Sequence, residues 1–203
     1  MKLFASLTSP YARKIRILLA EKALPFELVV DSPWEANTRI PSLNPLGKVP
    51  ALLTDDGEVL FDSPVIAGYL ELVGTAPHML PADPLERVRV RQLEALADGV
   101  LDAAVAALLE SRRPDGQRSD AEIDRQLEKV DRSLAELEHR ANGRHWLHGD
   151  AMSLADISVG AALGYLDLRF GHRNWRDGHP ALKALAERLF ARKSFIDTRP
   201  PVA

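Results

Sequence analysis

Lys2-Leu3-Phe4-Ala5-Ser6-Leu7-Thr8-Ser9-Pro10-Tyr11-Ala12-Arg13-Lys14-Ile15-Arg16-Ile17-Leu18-Leu19 changes its hydrophobic period once, at Ser9-Pro10. Lys2 to Ala5 is a short apolar run that reads as a buried strand. From Pro10 onward Ile15, Leu18 and Leu19 recur at helical spacing, which predicts a helix over 10–23. Proline suits the first helical turn, where its missing N–H has no intrahelical partner. The serine before it reads as the N-cap. Its hydroxyl therefore stands at the positive end of a helix dipole, where an anion is stabilised. Ser9 is thus a plain helix cap or, alternatively, a group that holds a thiolate. The chain has no cysteine, so that thiol would come from a bound small molecule, and neither a disulfide nor a Cys-based metal site is available.

Outward from this stretch the periods keep alternating for some seventy residues. Phe26-Glu27-Leu28-Val29-Val30 is rich in β-formers and reads as a second strand. Ala51 to Thr54, the turn Asp55-Asp56-Gly57 and Glu58 to Phe61 read as an antiparallel hairpin. Ser63-Pro64 then opens a helix to Val73 in the same cap-then-proline manner. Strand, helix, strand, hairpin and helix predict a small α/β domain with a mixed sheet over 1–76. A proline-rich connector, 77–84, follows. Beyond it only helical periods occur. Leu85, Val88, Leu93, Leu96, Val100, Val105 and Leu108 mark one long helix, and Ile123, Leu127, Val130, Leu134 and Leu137 mark a second. Leu182, Leu185, Leu189 and Phe190 mark a last one, so 85–203 is predicted to be an all-helical bundle.

Ser153 and Asp156 stand three apart, with Met152 before the cap and Ile157 inside the helix. This is a capping box with a hydrophobic staple. It precedes the small-residue run Val159-Gly160-Ala161-Ala162-Leu163-Gly164, which suits a tightly packed central helix. Ser153 and Asp156 are accordingly assigned a structural role.

Composition narrows the function classes. The 203 residues carry a net charge of −3, and a pI near 6.1 gives no electrostatic reason for nucleic acid as a partner. Arg87, Arg89, Arg91 and the Arg112-Arg113 pair read as solvated helix surface. No apolar run approaches the roughly 18 residues of a membrane span, and Met1 to Phe4 runs into a strand without a signal-peptide pattern. A cytoplasmic protein is expected. His145, His148 and Asp150 lie in a loop bounded by Gly143 and Gly149, and no metal is expected there.

Taken together, these motifs resemble the glutathione S-transferase superfamily over the whole chain. Ser9-Pro10-Tyr11-Ala12 is similar to the Cys-Pro-Tyr-Cys site of glutaredoxins with both cysteines replaced. Gly47-Lys48-Val49-Pro50-Ala51-Leu52 resembles the segment that carries the family's cis-proline, Pro50. Phe61-Asp62-Ser63-Pro64 resembles its acidic-serine motif, and Ser153 to Asp156 its helical-domain capping element. Thr8-Ser9-Pro10, Asn44 to Pro50 and Glu94 to Gly99 resemble, more narrowly, the bacterial YibF-type branch.

The resemblance implies a thioredoxin-like domain followed by a helical domain, glutathione as co-substrate, a small apolar electrophile and a homodimer. It implies that Ser9 stabilises the glutathione thiolate, with Tyr11 and Thr8 as competing donors. It implies that the Val49 backbone pairs with the cysteinyl part of glutathione, Ser63 takes the γ-glutamyl carboxylate, Asp62 faces the ligand's ammonium, and Lys48 pairs with the glycyl carboxylate. Trp34 either covers the pocket or packs on the sheet, and Asp98 either reaches the tripeptide or is plain surface. Ala103, Ala106, Ala107, Leu109 and Trp175 are candidate electrophile linings that fit core packing equally. Isomerisation of the maleylacetoacetate type is a second enzymatic reading, disfavoured because Ser9 lacks the serine-cysteine cluster of those enzymes. A non-catalytic interaction protein of the stringent-starvation type is the remaining alternative.

Overall fold

Four short strands make one mixed sheet: β1 (Lys2–Ala5), β2 (Glu27–Val30), β3 (Ala51–Leu53) and β4 (Val59–Leu60), in the order β2-β1-β3-β4. In this computed structural model, which describes residues 1–201, β1 runs parallel to β2, with Leu3 beside Leu28. It runs antiparallel to β3, with Phe4 opposite Ala51. β3 in turn pairs antiparallel with β4, Leu52 opposite Leu60. These registers put the C-terminal ends of β1, β2 and β4 and the start of β3 at one end of the sheet. Ser9-Pro10, Val49-Pro50 and Asp62-Ser63 all leave or enter the sheet there, whereas the Asp55-Asp56-Gly57 turn lies at the other end.

Parallel strands need a crossover, and α1 (Pro10–Glu21) supplies it between β1 and β2. Its core face is Ile15, Ile17, Leu18 and Leu19, all fully buried, and it packs against α3 (Ser63–Val73). The helix stops two residues before the predicted Ala23: Lys22 is the C-cap, and Ala23 takes a positive φ of 50°. Between β2 and β3 lies a short helix the sequence reading did not include, α2 (Ile40–Leu43). Four residues are too few to reveal a 3.6 period. Ile40 nonetheless closes a core cluster with Phe4, Val49 and Ala51.

The helical half contains α4 (Pro84–Ser111), α5 (Asp120–Ala141), α6 (Leu154–Phe170) and α7 (Pro180–Phe190), with a 3-10 turn over Gly171–Arg173. α6 is buried from Leu154 through Leu166, as expected of its small-residue run. α5 buries Val130, Leu134, Leu137 and Ala141 along one stripe.

The chain divides into two units: Pro81–Ala191, and Met1–Leu80 together with the segment from Arg192 onward. The sequence reading ended its helices at Phe190 and kept the tail with the helical domain. A further helix, α8 (Lys193–Asp197), follows instead, and it packs on α1. Arg192 forks the Glu21 carboxylate, Nε to Oε1 at 2.8 Å and Nη2 to Oε2 at 2.7 Å, and the Ser194 hydroxyl donates to it as well. Burial would raise the Glu21 carboxyl, but these bonds from Arg192 and Ser194 outweigh it and hold the group below its ordinary value. Arg13 donates to the Phe195 carbonyl at 3.2 Å, with its guanidinium 5.9 Å from the Phe195 ring.

Candidate functional site

The loop leaving β1 delivers Ser9 to the sheet end just described. Ser9 has an extended backbone (φ −73°, ψ 122°), and its Oγ accepts from the Ala12 N–H at 3.3 Å, the capping bond that the Ser-Pro dipeptide foretold. That bond uses a lone pair and leaves the hydroxyl hydrogen for another acceptor. Ser9 is half-buried. Thr8, by contrast, shares its hydroxyl with Ser6, Oγ to Oγ1 at 3.3 Å. Tyr11 lies within α1 and is half-buried.

The loop entering β3 brings Val49 and Pro50 to the same end, and the Val49–Pro50 bond is cis. A residue that the sequence reading named only as part of a motif, with no role of its own, organises it. Asn44, 1% exposed, donates Nδ2 to the Lys48 carbonyl at 2.8 Å and accepts from the Leu46 N–H at 3.0 Å. Gly47 takes the φ of 63° this turn requires. Val49 buries its side chain, while its backbone N–H and C=O have no partner among the described residues. Unpaired main-chain groups beside a strand are a template for an extended peptide. Lys48 is exposed.

Leaving β4, Phe61–Asp62 is a second cis bond, and α3 begins at Ser63. The sequence reading made Ser63 the cap, but Ser63 is the first residue of the helix. Asp62 occupies the N-cap position, yet its side chain makes no capping bond. Its carboxylate is exposed, whereas Ser63 is 2% exposed at the helix start. Two helix N-termini, of α1 and α3, therefore open at one end of one sheet, and both favour negative charge.

After β2, Asp31 ties the next loop. It accepts from Thr38 Oγ1 at 2.6 Å and from the Arg39 N–H at 3.2 Å. The Thr38 bond is foremost in holding its carboxyl below the ordinary range. Trp34 on this loop is 76% exposed, so of the two readings given it, packing on the sheet is excluded.

The other candidates lie in the helical unit. Ala103 and Ala107 are buried in α4, Ala106 is half-buried, and Leu109 is exposed. Trp175 is buried, and its Nε1 donates to Asp167 at 2.7 Å. Asp98 is half-buried in α4. His148 Nε2 lies 2.8 Å from Glu86 Oε2, and His145 stands edge-on to Trp146. Among the described residues no group of three His, Cys, Asp or Glu could hold a metal, and no helix is long and apolar enough to cross a membrane.

Residues 8–73 match the family model for the glutathione S-transferase N-terminal domain, and residues 120–188 match that for the C-terminal domain. The chain is 48% identical over its full length, and the full length of the relative, to the uncharacterized GST-like protein YibF of Escherichia coli. A glutathione S-transferase from Methylobacillus flagellatus, solved with glutathione bound, superposes with a TM-score of 0.96 at 44% identity, covering 98% of this chain and 99% of that one. One from Methylobacterium radiotolerans, in complex with glutathione sulfonate, gives 0.95 at 42% identity, covering 100% and 95%. With a thioredoxin-like domain followed by a helical domain, and with relatives matched end to end, this chain belongs to the glutathione S-transferase family.

Proposed function

We propose that this protein binds glutathione at the sheet end shared by β1, β3 and β4, stabilises its thiolate through Ser9, and conjugates it to a small apolar electrophile. The observation that carries this reading is the convergence of two helix N-termini with the unpaired Val49 backbone. Such an arrangement suits a tripeptide with a carboxylate at each end and a thiol between. The Val49 N–H and C=O pair with the cysteinyl unit like an added strand. Ser63 and the start of α3 take the γ-glutamyl carboxylate, Asp62 faces its ammonium group, and Lys48 answers the glycyl carboxylate. The Ser9 hydroxyl, at the mouth of α1, donates to the sulfur. A free thiol titrates near 8.5, so about a few per cent is thiolate at pH 7. Each unit by which the site lowers that value multiplies the reactive fraction about tenfold. The absence of cysteine closes any route through a protein–glutathione mixed disulfide. The protein acts in the cytoplasm as a homodimer.

Calorimetric titration with glutathione tests the site. Saturation between micromolar and millimolar ligand is expected, and no heat at millimolar ligand would shift the reading to a non-catalytic interaction protein of the stringent-starvation type on the same scaffold. Two substitutions then divide binding from chemistry. Ser9→Ala should lower kcat/KM with a model electrophile about 10- to 100-fold, one to two units of thiol pKa. Glutathione affinity should stay within about twofold. An unchanged rate would remove Ser9 as the donor and leave Tyr11 and Thr8. Ser63→Ala should weaken glutathione binding about tenfold, the worth of a hydrogen bond to a charged group; unchanged affinity would displace the γ-glutamyl site.

A further inference from the structure

The helical unit holds a cavity of about 160 Å³ that the glutathione site does not use. Leu127, Val130 and Leu134 of α5 form one wall, Leu166 and Phe170 of α6 another, and Trp175 a third. An apolar cavity of about 150 Å³ elsewhere is known to stay dry and to take up benzene, so this one has room for a single ring.

Its aromatic wall is held in place. Trp175 Nε1 donates to Asp167 Oδ1 at 2.7 Å, and the Arg176 guanidinium lies 4.4 Å from the centre of the indole ring. Arg176 is itself forked onto Asp167 at 2.6 and 2.8 Å. Of the charged lining residues, Asp131 and Arg173 are paired with each other, at 2.8 and 3.0 Å, and Asp177 is exposed to solvent, so none of the three calls for a charged ligand.

His179 is the exception. Its Nδ1 lies 2.7 Å from the Trp175 carbonyl oxygen. A carbonyl only accepts, so Nδ1 carries the proton and Nε2 of the neutral ring is an acceptor. Nε2 has no partner among the described residues. We propose that this cavity is a binding site for a small single-ring phenol, its ring between the α5 and α6 walls and Trp175, and its hydroxyl donating to His179 Nε2.

The test compares phenol with toluene, which is nearly the same shape but cannot donate, by calorimetry and by tryptophan fluorescence of the full chain. Phenol should bind saturably and about fivefold more tightly than toluene, as one net hydrogen bond allows. Leu127→Trp, which fills the cavity from its half-buried rim, should abolish both. His179→Asn keeps a donor for the Trp175 carbonyl and, being shorter than the ring, removes the acceptor from the Nε2 position; it should erase the preference while toluene binding persists. Binding unchanged in Leu127→Trp would overturn the site. Equal affinities for phenol and toluene, or a preference that survives His179→Asn, would overturn the role of His179 and with it the phenol. Glutathione titration is independent of every one of these outcomes.

Discussion

Asp156→Ala should destabilise the protein by about 3 kcal/mol, lowering its melting temperature by roughly 6–12 °C for a chain of this size. Asp156 is fully buried. Its Oδ1 accepts from the Leu147 N–H at 2.8 Å, and its Oδ2 from the Ser153 N–H at 2.8 Å and the Ser153 hydroxyl at 2.9 Å. One carboxylate thus ties the start of α6 to the loop before it. Alanine leaves two buried N–H groups without an acceptor, each costing about 1–3 kcal/mol. Burial pushes the Asp156 carboxyl above its ordinary value, against the hydrogen bonds that pull it down. A raised folded value means that the pH-linked part of the stability, which burial sets, is fully present below the ordinary aspartate range and is lost as pH climbs through the folded value, apart from what the hydrogen bonds contribute. Urea melts across that window should reveal this slope in the wild type and its absence in the variant. Glutathione affinity measured well below the melting temperature should be unaltered. A loss under about 1 kcal/mol would mean that the capping box is dispensable.

Lys22→Met should cost about 3–5 kcal/mol, the range for breaking a buried ion pair from one side. The Lys22 ammonium lies 2.9 Å from Glu71 Oε1 and donates to the Thr75 and Pro77 carbonyls at 3.3 and 2.9 Å. Glu71 Oε2 in turn accepts from the Met79 and Leu80 N–H groups at 3.1 and 3.3 Å. The end of α1, the body of α3 and the segment after it are joined through these two side chains. Gly74 is part of the same arrangement: a Cβ there would meet Lys22 Cε at 2.4 Å and the Leu70 carbonyl at 2.7 Å. Methionine keeps most of the buried stem and removes the charge together with the donors to the Thr75 and Pro77 carbonyls. Adding Glu71→Gln should recover part of the loss, because the stranded carboxylate accounts for much of it. Equilibrium unfolding of both variants measures this, and a double variant no better than the single would contradict the ion-pair account.

Features encoded by neighbouring residues could be read from the chain alone. Ser9-Pro10 marks the start of α1 because cap and proline act within one turn, and the Ser153 to Asp156 box marks α6 for the same reason. The strands of the first half are visible as β-rich runs, and their registers follow once the sheet forms. α8 left no such mark. Its anchors, Glu21 with Arg192 and Ser194, are 171 and 173 residues apart in sequence. A five-residue helix also has no period to detect. Asn44, named only within a motif, and Asp31 were given no role because a side chain bonding to nearby backbone in a loop has no spacing rule. Trp34 stood open between covering the pocket and packing on the sheet, since an indole suits both; its exposure excludes the second.

The tail's return to α1 has a consequence for how the chain is made. The first unit is built from two separate segments, with the whole helical unit inserted between them. During vectorial synthesis Arg192, Ser194 and Phe195, which bond Glu21 and Arg13, emerge only after the helical unit, so the sheet-bearing unit is begun before that unit and completed after it. Until then its α1 surface stands open, and the helical unit has every residue it needs before the sheet-bearing unit does.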